Sequence, residues 1–430
     1  MALTGRAALA AALGALLIVA FRDPAAIVFV NAVLVAAIAA DVALAAPVRT
    51  VRLGRSGDTR VLLGEHASVL LEVANPARRT LRAVIRDAWQ PSAGAIPPRA
   101  RVTVPAGGQA WLTTGLSPDR RGDKTAVAVT IRSLGPLGLA GRQGRQPAAW
   151  TVRVLPPFHS RRHLPDKLSR LRQLDGQHCA LLRGQGSEFD SLREYVIGDD
   201  VRSIDWRATA RLRDVMVRTW RPERDRQILI VLDTGRTSAG RVGGVPRLDA
   251  AMDAALLLTA LASRAGDRVD MLAFDRRVRA RVVGTPRSAV LSVVAQAMAG
   301  LQAELVETDA AALGSAALTA ARHRSLIVLL TDLNPTAVTE GLLPRLPLLA
   351  ARHEVVVAAV ADPALEEMSA DRTDAAAVYD AAAAEQARAA RERVSALLRR
   401  RGAHVVDAPP ERLPAALADA YLDLKAAGRL

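Results

Sequence analysis

"ILIVLDTGRTSAG", residues 228 to 240, begins as an apolar run and stops at an aspartate followed by glycine, threonine and serine. A short apolar run bounded by turn residues is typical of a buried strand in a parallel sheet. In open α/β sheets ligands bind at the carboxyl ends of strands, and a carboxylate followed by hydroxyl groups suits a hard cation. Asp233 therefore marks a candidate site, although Gly235 stands where a second oxygen ligand is expected.

Apolar strands alternate with helical patterns from residue 227 onward. The strands are followed on the chain by amphipathic or alanine-rich helices, including a long one over residues 374–400. This alternation predicts a doubly wound α/β domain over residues 227–430. The first strand is not followed by a glycine-rich phosphate fingerprint, which disfavours a dinucleotide or nucleoside-triphosphate site.

The central part of the chain divides into two regions. Residues 48–155 contain short stretches of period two separated by turn signals, which predicts an antiparallel β-sandwich-like module. Residues 156–226 form a charged bridging segment with an amphipathic helix, a second helix expected from the capping-box spacing of Ser187 and Asp190, and a strand at "VMVRTW". Its charges nearly alternate in sign, which fits either a structural brace or a face that docks a partner. The candidate docking residues are Glu188, Arg193, Asp199, Asp200, Arg202, Asp205 and Trp206.

Residues 1–47 carry two apolar runs, 7–21 and 25–46, bounded by arginines. The runs predict a transmembrane helical hairpin. Ala43-Leu44-Ala45 also has the form of a signal-peptide cleavage site, but Arg22 and Asp23 interrupt the apolar region and the segment is long for a signal. The retained hairpin is favoured. Arginine asymmetry then places both ends, and the soluble domains, on the cytoplasmic side of the cell membrane.

The composition restricts the function classes. Net charge is +15 with only 3% aromatic residues, and the arginines are spread along the chain, so nucleic-acid binding is not expected. Cys179 is the single cysteine, which excludes an internal disulfide and a thiolate metal cluster. Arg49, Arg52, Arg55 and Arg60 follow the second apolar run, so a basic protein lying on anionic lipid or nucleic acid remains an alternative.

Three loops of the α/β region resemble the metal-ion-dependent adhesion site of a von Willebrand factor A domain. In order they contain Asp233, then Thr308 in "ETDAAALGS", then Asp332 in "LLTDLNP". Thr237 keeps a hydroxyl where the Asp-x-Ser-x-Ser loop of that family has serine, whereas Gly235 departs from the pattern. The resemblance implies a degenerate site with weak Mg²⁺ binding or none, and Arg236 in the same loop is a candidate counter-charge that competes with a cation.

A longer resemblance covers most of the chain. "RGQGSEFDSLREYVIGDDVRSIDWRATAR", residues 183–211 and here called the signature segment, is very similar to the domain of unknown function 58 family. "SLGPLGLAGR", residues 133–142, resembles that family's Asp-Pro-Leu-Gly-Leu segment, with Gly135 for the aspartate. The family consists of membrane-anchored bacterial proteins that are often paired with a MoxR-type AAA+ ATPase, and A domains bind protein partners.

The resemblance therefore implies a non-enzymatic membrane-anchored adaptor that presents an A-type domain to a protein partner, for which a AAA+ ATPase is the candidate. A second hypothesis is a Mg²⁺-dependent hydrolase that uses Asp233 and Asp332; the sequence offers it no evident base or phosphate cradle. The identity of the partner and the oligomeric state stay open.

Overall fold

The computed structural model describes residues 2–21, 23–181, 188–197, 199–212, 214–221 and 226–430, with the backbone alone at 175–181, 188–190 and 219–221. The chain forms two compact units, Met1–Leu155 and Pro156–Leu430. A helical pair and a β module make up the first unit. A leading segment and an α/β domain make up the second.

Two apolar helices, α1 (Gly5–Phe21) and α2 (Pro24–Leu44), open the first unit. Asp23 caps α2 by accepting a hydrogen bond from the N–H of Ala25, and Pro24 suits the first helical position because it has no N–H to satisfy. The helices approach closely, since a Cβ on Gly14 would lie 2.8 Å from a methyl of Val30. Large apolar side chains on both helices are exposed.

Within the described residues, one helical stretch, Pro24–Thr50, is long and apolar enough to cross a membrane, and α1 is a shorter apolar helix. A signal sequence near an N-terminus meets the same two criteria. A hairpin with two membrane spans therefore stays a prediction.

The β module is a sandwich of two sheets. Its strands are β1 (Ala2–Leu3), β2 (Arg52–Gly57), β3 (Arg60–Leu62), β4 (Ala67–Ala74), β5 (Leu81–Trp89), β6 (Ala95–Ile96), β7 (Ala100–Val104), β8 (Gln109–Leu116), β9 (Gly122–Leu134), β10 (Ala140–Gln146) and β11 (Thr151–Leu155). One sheet has the order β2-β4-β8-β6, and the other contains β1-β10-β9-β11-β3 with β5 and β7. Inward residues such as Leu71 and Val73 of one sheet meet Ile85 and Ile131 of the other. The alternating pattern predicts this arrangement, apart from the parallel pairing of β3 with β11.

The helical pair is joined to the β module at its N-terminal end. Strand β1 pairs antiparallel with the start of β10. The hydroxyl of Thr4 donates a hydrogen bond to the carbonyl of Gly138 at 2.6 Å, and its N–H donates to the carbonyl of Leu139 at 3.0 Å. The chain therefore enters α1 directly from the edge of a sheet.

A buried carboxylate joins the other end of the pair to the same turn. Asp41, in the last turns of α2, is 0% exposed. It accepts hydrogen bonds from the backbone N–H groups of Leu137, Leu139 and Ala140 at 2.8, 2.7 and 2.8 Å. A Cβ on Gly135 would lie 2.1 Å from Asp41 Oδ1, so only glycine leaves room for that carboxylate. Cleavage after Ala45 would remove Asp41 and leave these N–H groups unpaired, which favours a retained helical pair.

Arg55, one of the four arginines expected to face anionic lipid, lies instead inside the β module. Arg55 forms an ion pair with Asp87 in which both side chains are almost fully buried, and its guanidinium lies 5.1 Å from the ring centre of Trp89. Asp87 also accepts hydrogen bonds from Trp89 and Thr114. The expectation that Arg55 faces acidic headgroups is wrong, because a buried carboxylate on the neighbouring sheet already neutralises it.

The second unit begins with four elements: α3 (Leu164–Leu181), β12 (Glu188–Glu194), α4 (Trp206–Leu212) and β13 (Met216–Arg221). The amphipathic pattern correctly predicts α3, whose Leu164 and Leu171 are buried against the α/β domain. The helix predicted from Ser187 and Asp190 is wrong where the chain is described: residues 188–194 form a strand paired with β13, and Ser187 lies outside the described residues. Strand pairing here overrides a local capping signal.

The α/β domain contains one six-stranded sheet. Its strands are β14 (Gln227–Asp233), β17 (Arg268–Phe274), β18 (Val278–Val282), β19 (Ser325–Leu330), β20 (Glu354–Val360) and β21 (Ala403–Ala408), and a separate ribbon joins β15 (Arg241–Val242) to β16 (Val245–Pro246). The order is β18-β17-β14-β19-β20-β21, parallel except for β18. The chain builds outward from β14 on one side and then resumes at β19 on the other. The order therefore reverses between β14 and β19, where a ligand crevice is expected.

Helices cover both faces of this sheet. They are α5 (Arg247–Arg264), α6 (Val290–Ala299), α7 (Ala310–Ala320), α8 (Leu346–Ala350), α9 (Ala364–Ala370), α10 (Ala375–Arg400) and α11 (Leu413–Ala426). One core cluster joins the sheet to α5, α6 and α11, and the other joins it to α7, α8 and α10. Strands buried on both faces explain their continuous apolar sequences.

Candidate functional site

The predicted sheet-edge residues meet at the point where the strand order reverses. β14 ends at Asp233, and the adjacent parallel strand β19 is followed directly by Thr331 and Asp332. Thr308 comes from the loop before α7 and contacts Asp233. The structure thus places these three predicted residues at one edge of the sheet, where the carboxyl ends of β14 and β19 meet.

Asp233 is a buried carboxylate held by neutral donors. It is 5% exposed. Its Oδ1 accepts hydrogen bonds from the N–H of Gly235 at 2.8 Å and the hydroxyl of Thr308 at 2.6 Å, and its Oδ2 accepts one from the hydroxyl of Thr331 at 2.6 Å. These bonds fix the orientation of the carboxylate. Thr237, the other predicted ligand, lines the adjoining cavity.

The space beside Gly235 is already filled. A Cβ at this position would lie 2.1 Å from Thr308 Oγ1 and 3.1 Å from Asp233 Oδ1. A serine here therefore requires Thr308 to move away from Asp233. The position where the sequence lacks a second oxygen ligand is therefore not vacant, because the threonine hydroxyl occupies it.

Asp332 is neutralised by two arginines. Its Oδ2 accepts a hydrogen bond from Arg247 and its Oδ1 accepts one from Arg391, both at 2.8 Å. Arg391 also binds Asp407 through two nitrogens, at 2.8 and 2.9 Å. Burial works against the charged form of Arg391, but the carboxylates of Asp407 and Asp332 outweigh it and raise the pKa of the guanidinium.

Arg236 does not supply the counter-charge that was expected of it. Its guanidinium pairs with Glu307 at the exposed rim of the site. Arg247 and Arg391 take that role instead, and the sequence gives no signal for them. They lie 85 and 59 residues from Asp332 along the chain, in α5 and α10. Thr331, which was quoted only as part of the strand motif, is a further contact of Asp233.

The residues present do not fit Mg²⁺ in this arrangement. Mg²⁺ takes six oxygen ligands in near-octahedral geometry. The oxygens of Asp332 already bind two guanidinium groups, and both oxygens of Asp233 accept hydrogen bonds. Among the described residues, no group of three or more His, Cys, Asp or Glu side chains is placed to hold a metal. A cation would have to displace at least one arginine.

A cavity of about 600 Å³ opens beside Asp233. Its floor is apolar, with Leu313, Leu329 and Val338, and its walls carry the hydroxyl groups of Thr308 and Thr331. Glu307, Glu340 and Arg236 also line it. A volume of this size with few polar groups falls within the range of small-molecule and side-chain pockets.

The predicted docking residues of the signature segment largely bind one another. Arg193 pairs with Asp199 through two hydrogen bonds, and Asp199 also accepts the N–H of Val196. Asp200 caps a short 3₁₀ helix by accepting the N–H of Arg202. The side chain of Glu188 lies outside the described residues.

Asp205 and Trp206 stand at the start of α4. Asp205 accepts the N–H groups of Arg207 and Ala208, which caps the helix, and pairs with Arg218 at 2.7 Å. The Ala208 N–H and the Arg218 guanidinium hold the pKa of Asp205 below its usual range. Trp206 is 69% exposed. It therefore does not form the buried centre of a structural brace.

Together these features define a class: a doubly wound α/β protein with a pocket at its switch point, preceded along the chain by a β-sandwich module and an apolar helical pair. The chain belongs to the family described as "Protein of unknown function DUF58", whose model matches residues 191–405. The match covers the end of the signature segment and most of the α/β domain. The family resemblance read from residues 183–211 is confirmed.

Curated relatives come from mycobacteria. Uncharacterized proteins of Mycobacterium bovis and of two Mycobacterium tuberculosis strains are each 33% identical to this chain over 199 residues. The matches cover 44% of this chain and 60% of each relative. The chain thus spans 60% of the length of the curated relatives that it matches.

Two solved structures each match about a quarter of the chain. The CARDB domain of the PF1109 protein from Pyrococcus furiosus is 14% identical with a TM-score of 0.19, covering 24% of this chain and 87% of that one. Native α2-macroglobulin from Escherichia coli is 17% identical with a TM-score of 0.22, covering 27% of this chain and 17% of that one. Scores this low carry no argument about function.

Proposed function

We propose that this protein is a non-enzymatic, membrane-anchored adaptor whose α/β domain is a von Willebrand A-type module that binds a protein partner. The helical pair anchors the chain in the cell membrane as two spans, with the β module and the α/β domain in the cytoplasm. Arginines flanking the apolar runs support that orientation. The strand order and the loops at the switch point support the A-type assignment.

The pairing of Asp332 with Arg247 and Arg391 carries this proposal. A metal-dependent hydrolase needs the carboxylates at this edge to hold its cation, yet both oxygens of Asp332 bind guanidinium groups instead. With both oxygens of Asp332 bound to arginines, this edge has no free carboxylate pair to hold a catalytic cation. The proposed module therefore works without Mg²⁺, in contrast to an A domain that binds its partner through the metal.

The proposed partner is a AAA+ ATPase of the MoxR type. The support is the family resemblance of the signature segment and the β module. An anchored adaptor of this kind would hold the ATPase at the membrane surface. The ATPase would supply energy from ATP hydrolysis, and the adaptor would determine where it acts.

Crosslinking in native membranes tests the adaptor. Full-length protein would be expressed in its own host, crosslinked with ATP present, purified and examined by quantitative mass spectrometry. We expect enrichment of a AAA+ ATPase over a bait of unrelated sequence with a similar helical anchor. Equal recovery with both baits contradicts the proposed partner.

A phosphate-release assay tests the enzyme alternative. Purified full-length protein would be incubated with Mg²⁺ and nucleotide or phosphomonoester substrates, beside the Asp233→Ala variant. We expect no difference between the two proteins. Turnover by the wild type that disappears in the variant would assign this edge to a hydrolase instead.

A further inference from the structure

Outside the apolar helical pair, the signature segment carries several exposed apolar side chains. Ile197 is 97% exposed, Val201 64% and Trp206 69%. Single exposed apolar residues are ordinary on a surface, whereas several within ten residues, one of them a tryptophan, mark a contact site.

A cavity of about 360 Å³ lies beside Trp206. The arginine–tryptophan cavity, as we call it, is lined by Arg202, Ser203, Asp205, Trp206, Arg207 and Arg218. Arg218 is paired with Asp205. Within the described part of the chain, no residue accepts a hydrogen bond from the guanidinium of Arg202 or Arg207. The cavity thus presents two unneutralised arginines next to an exposed indole.

Among the described residues, the neighbouring carboxylates do not pair with those arginines. Asp205 caps α4 and pairs with Arg218, and Asp199 pairs with Arg193. Asp200 uses one oxygen to cap its own 3₁₀ helix. The two arginines are therefore left for a carboxylate from another molecule, which a guanidinium binds in a planar, directional way.

From this geometry we infer that the arginine–tryptophan cavity docks an acidic segment of a protein partner, with a carboxylate between Arg202 and Arg207 and an apolar side chain against Trp206. The inference rests on the proposed adaptor function and names the face and the chemistry of the contact. It places that contact on the signature segment and away from the sheet edge at Asp233.

Charge favours a protein over a lipid surface or a nucleic acid. Residues 188–221 contain seven acidic residues and seven arginines, so their formal charges cancel. Anionic lipid and nucleic acid attract a surplus of positive charge, which this region lacks. An acidic protein segment instead needs only the two arginines of the cavity, whose guanidinium groups bind a carboxylate directionally.

Site-specific photocrosslinking in native membranes tests the inference. Val201→p-benzoyl-phenylalanine places the probe beside the cavity in the full-length protein, and Val378→p-benzoyl-phenylalanine on α10 is the control position. We expect a protein adduct at the first position and not at the second. Sequencing of the crosslinked peptide should reveal at least one Asp or Glu next to an apolar residue.

Charge reversal supplies the decisive comparison. The combined Arg202→Glu and Arg207→Glu change should lower the adduct yield at least about tenfold, which corresponds to a change of about 1.4 kcal/mol in binding free energy. Arg211→Glu makes the same kind of change on the exposed side of α4, outside the cavity, and should leave the yield unchanged. Circular dichroism and thermal unfolding establish that the variants are folded. Replacing the partner's acidic residue by arginine should restore the adduct to the reversed variant.

Other outcomes overturn the inference. A lipid adduct, an adduct with a second copy of this chain, or a yield insensitive to charge reversal would each exclude the cavity as an acidic docking site. Two results distinguish this inference from the adaptor function. If the AAA+ ATPase still copurifies with the charge-reversed variant, the adaptor function stands and only its docking at the cavity is wrong. If no partner is enriched with the wild-type protein, the adaptor function itself is wrong.

Discussion

Asp41→Ala should loosen the joint between the helical pair and the β module. The change removes a carboxylate that accepts three backbone N–H bonds at 2.7 to 2.8 Å. Each hydrogen bond to a charged group contributes about 1.5–3 kcal/mol. The three share one carboxylate, and Leu137 lies in an exposed part of the turn, so the contributions do not add in full. We expect a loss of about 3 kcal/mol of local stability, which is below the roughly 4.5 kcal/mol that three such bonds would contribute if they added in full.

Hydrogen–deuterium exchange of the detergent-solubilised full-length protein measures this loss. Amides of the turn and of β9 and β10, within residues 133–146, exchange through local opening. A loss of about 3 kcal/mol corresponds to roughly hundredfold faster exchange there. Asp23→Ala is the matched control, because it also removes a helix-capping carboxylate, but one whose bond to Ala25 is exposed and distant from the turn. It should leave exchange of residues 133–146 at the wild-type rate.

A rescue experiment separates the role of the carboxylate from a general effect of truncation. Gly135→Asp alone should destabilise the turn, since its Cβ would lie 2.1 Å from Asp41 Oδ1. In the Asp41→Ala background the space is open, and the new carboxylate occupies the position that aspartate holds in the resembling family segment. Slower exchange in the double variant than in Asp41→Ala is expected. If Asp41→Ala exchanges residues 133–146 no faster than the Asp23→Ala control, the carboxylate does not hold the turn and our reasoning is refuted.

Three further outcomes follow from the α/β domain. Gly235→Ser should lower the midpoint of thermal unfolding, because Thr308 occupies the space that the serine side chain needs. For the same reason it should not strengthen Mg²⁺ binding in calorimetry. Tighter binding would show that Thr308 moves away easily. Arg391→Met should increase the heat of Mg²⁺ binding relative to wild type by freeing one oxygen of Asp332, and identical titrations would contradict this. Burial lowers the pKa of His353 below 6.5, so the unfolded chain takes up a proton at a higher pH than the folded chain does. The free energy of unfolding should therefore fall as the pH drops below about 6.5, and it should fall less steeply in a His353→Leu variant. Equal dependence of that free energy on pH in the two proteins would contradict this role of His353.

The loops of the candidate site follow from the sequence because their signals are local. An apolar strand that stops at an aspartate identifies β14, and its parallel neighbour β19 brings Asp332 to the same edge. Thr308 reaches Asp233 from the loop before α7. The two arginines on Asp332 have no such signal, since they lie in helices 85 and 59 residues away. Asp41 is similar: in sequence it only interrupts an apolar run, and its partners are 96 to 99 residues distant. Local patterns predict elements, whereas packing decides which charges meet.

Several arginines of the chain neutralise buried carboxylates in internal pairs. Arg55 neutralises Asp87 inside the sandwich, and Arg279 neutralises Asp275 beside β17. At the switch point Arg391 forms ion pairs with both Asp407 and Asp332. Because paired arginines contribute little to an external field, net charge is a poor guide to what this protein binds. Recognition depends instead on arginines without an internal partner, and this is why the two at the arginine–tryptophan cavity carry more weight than the overall surplus of +15.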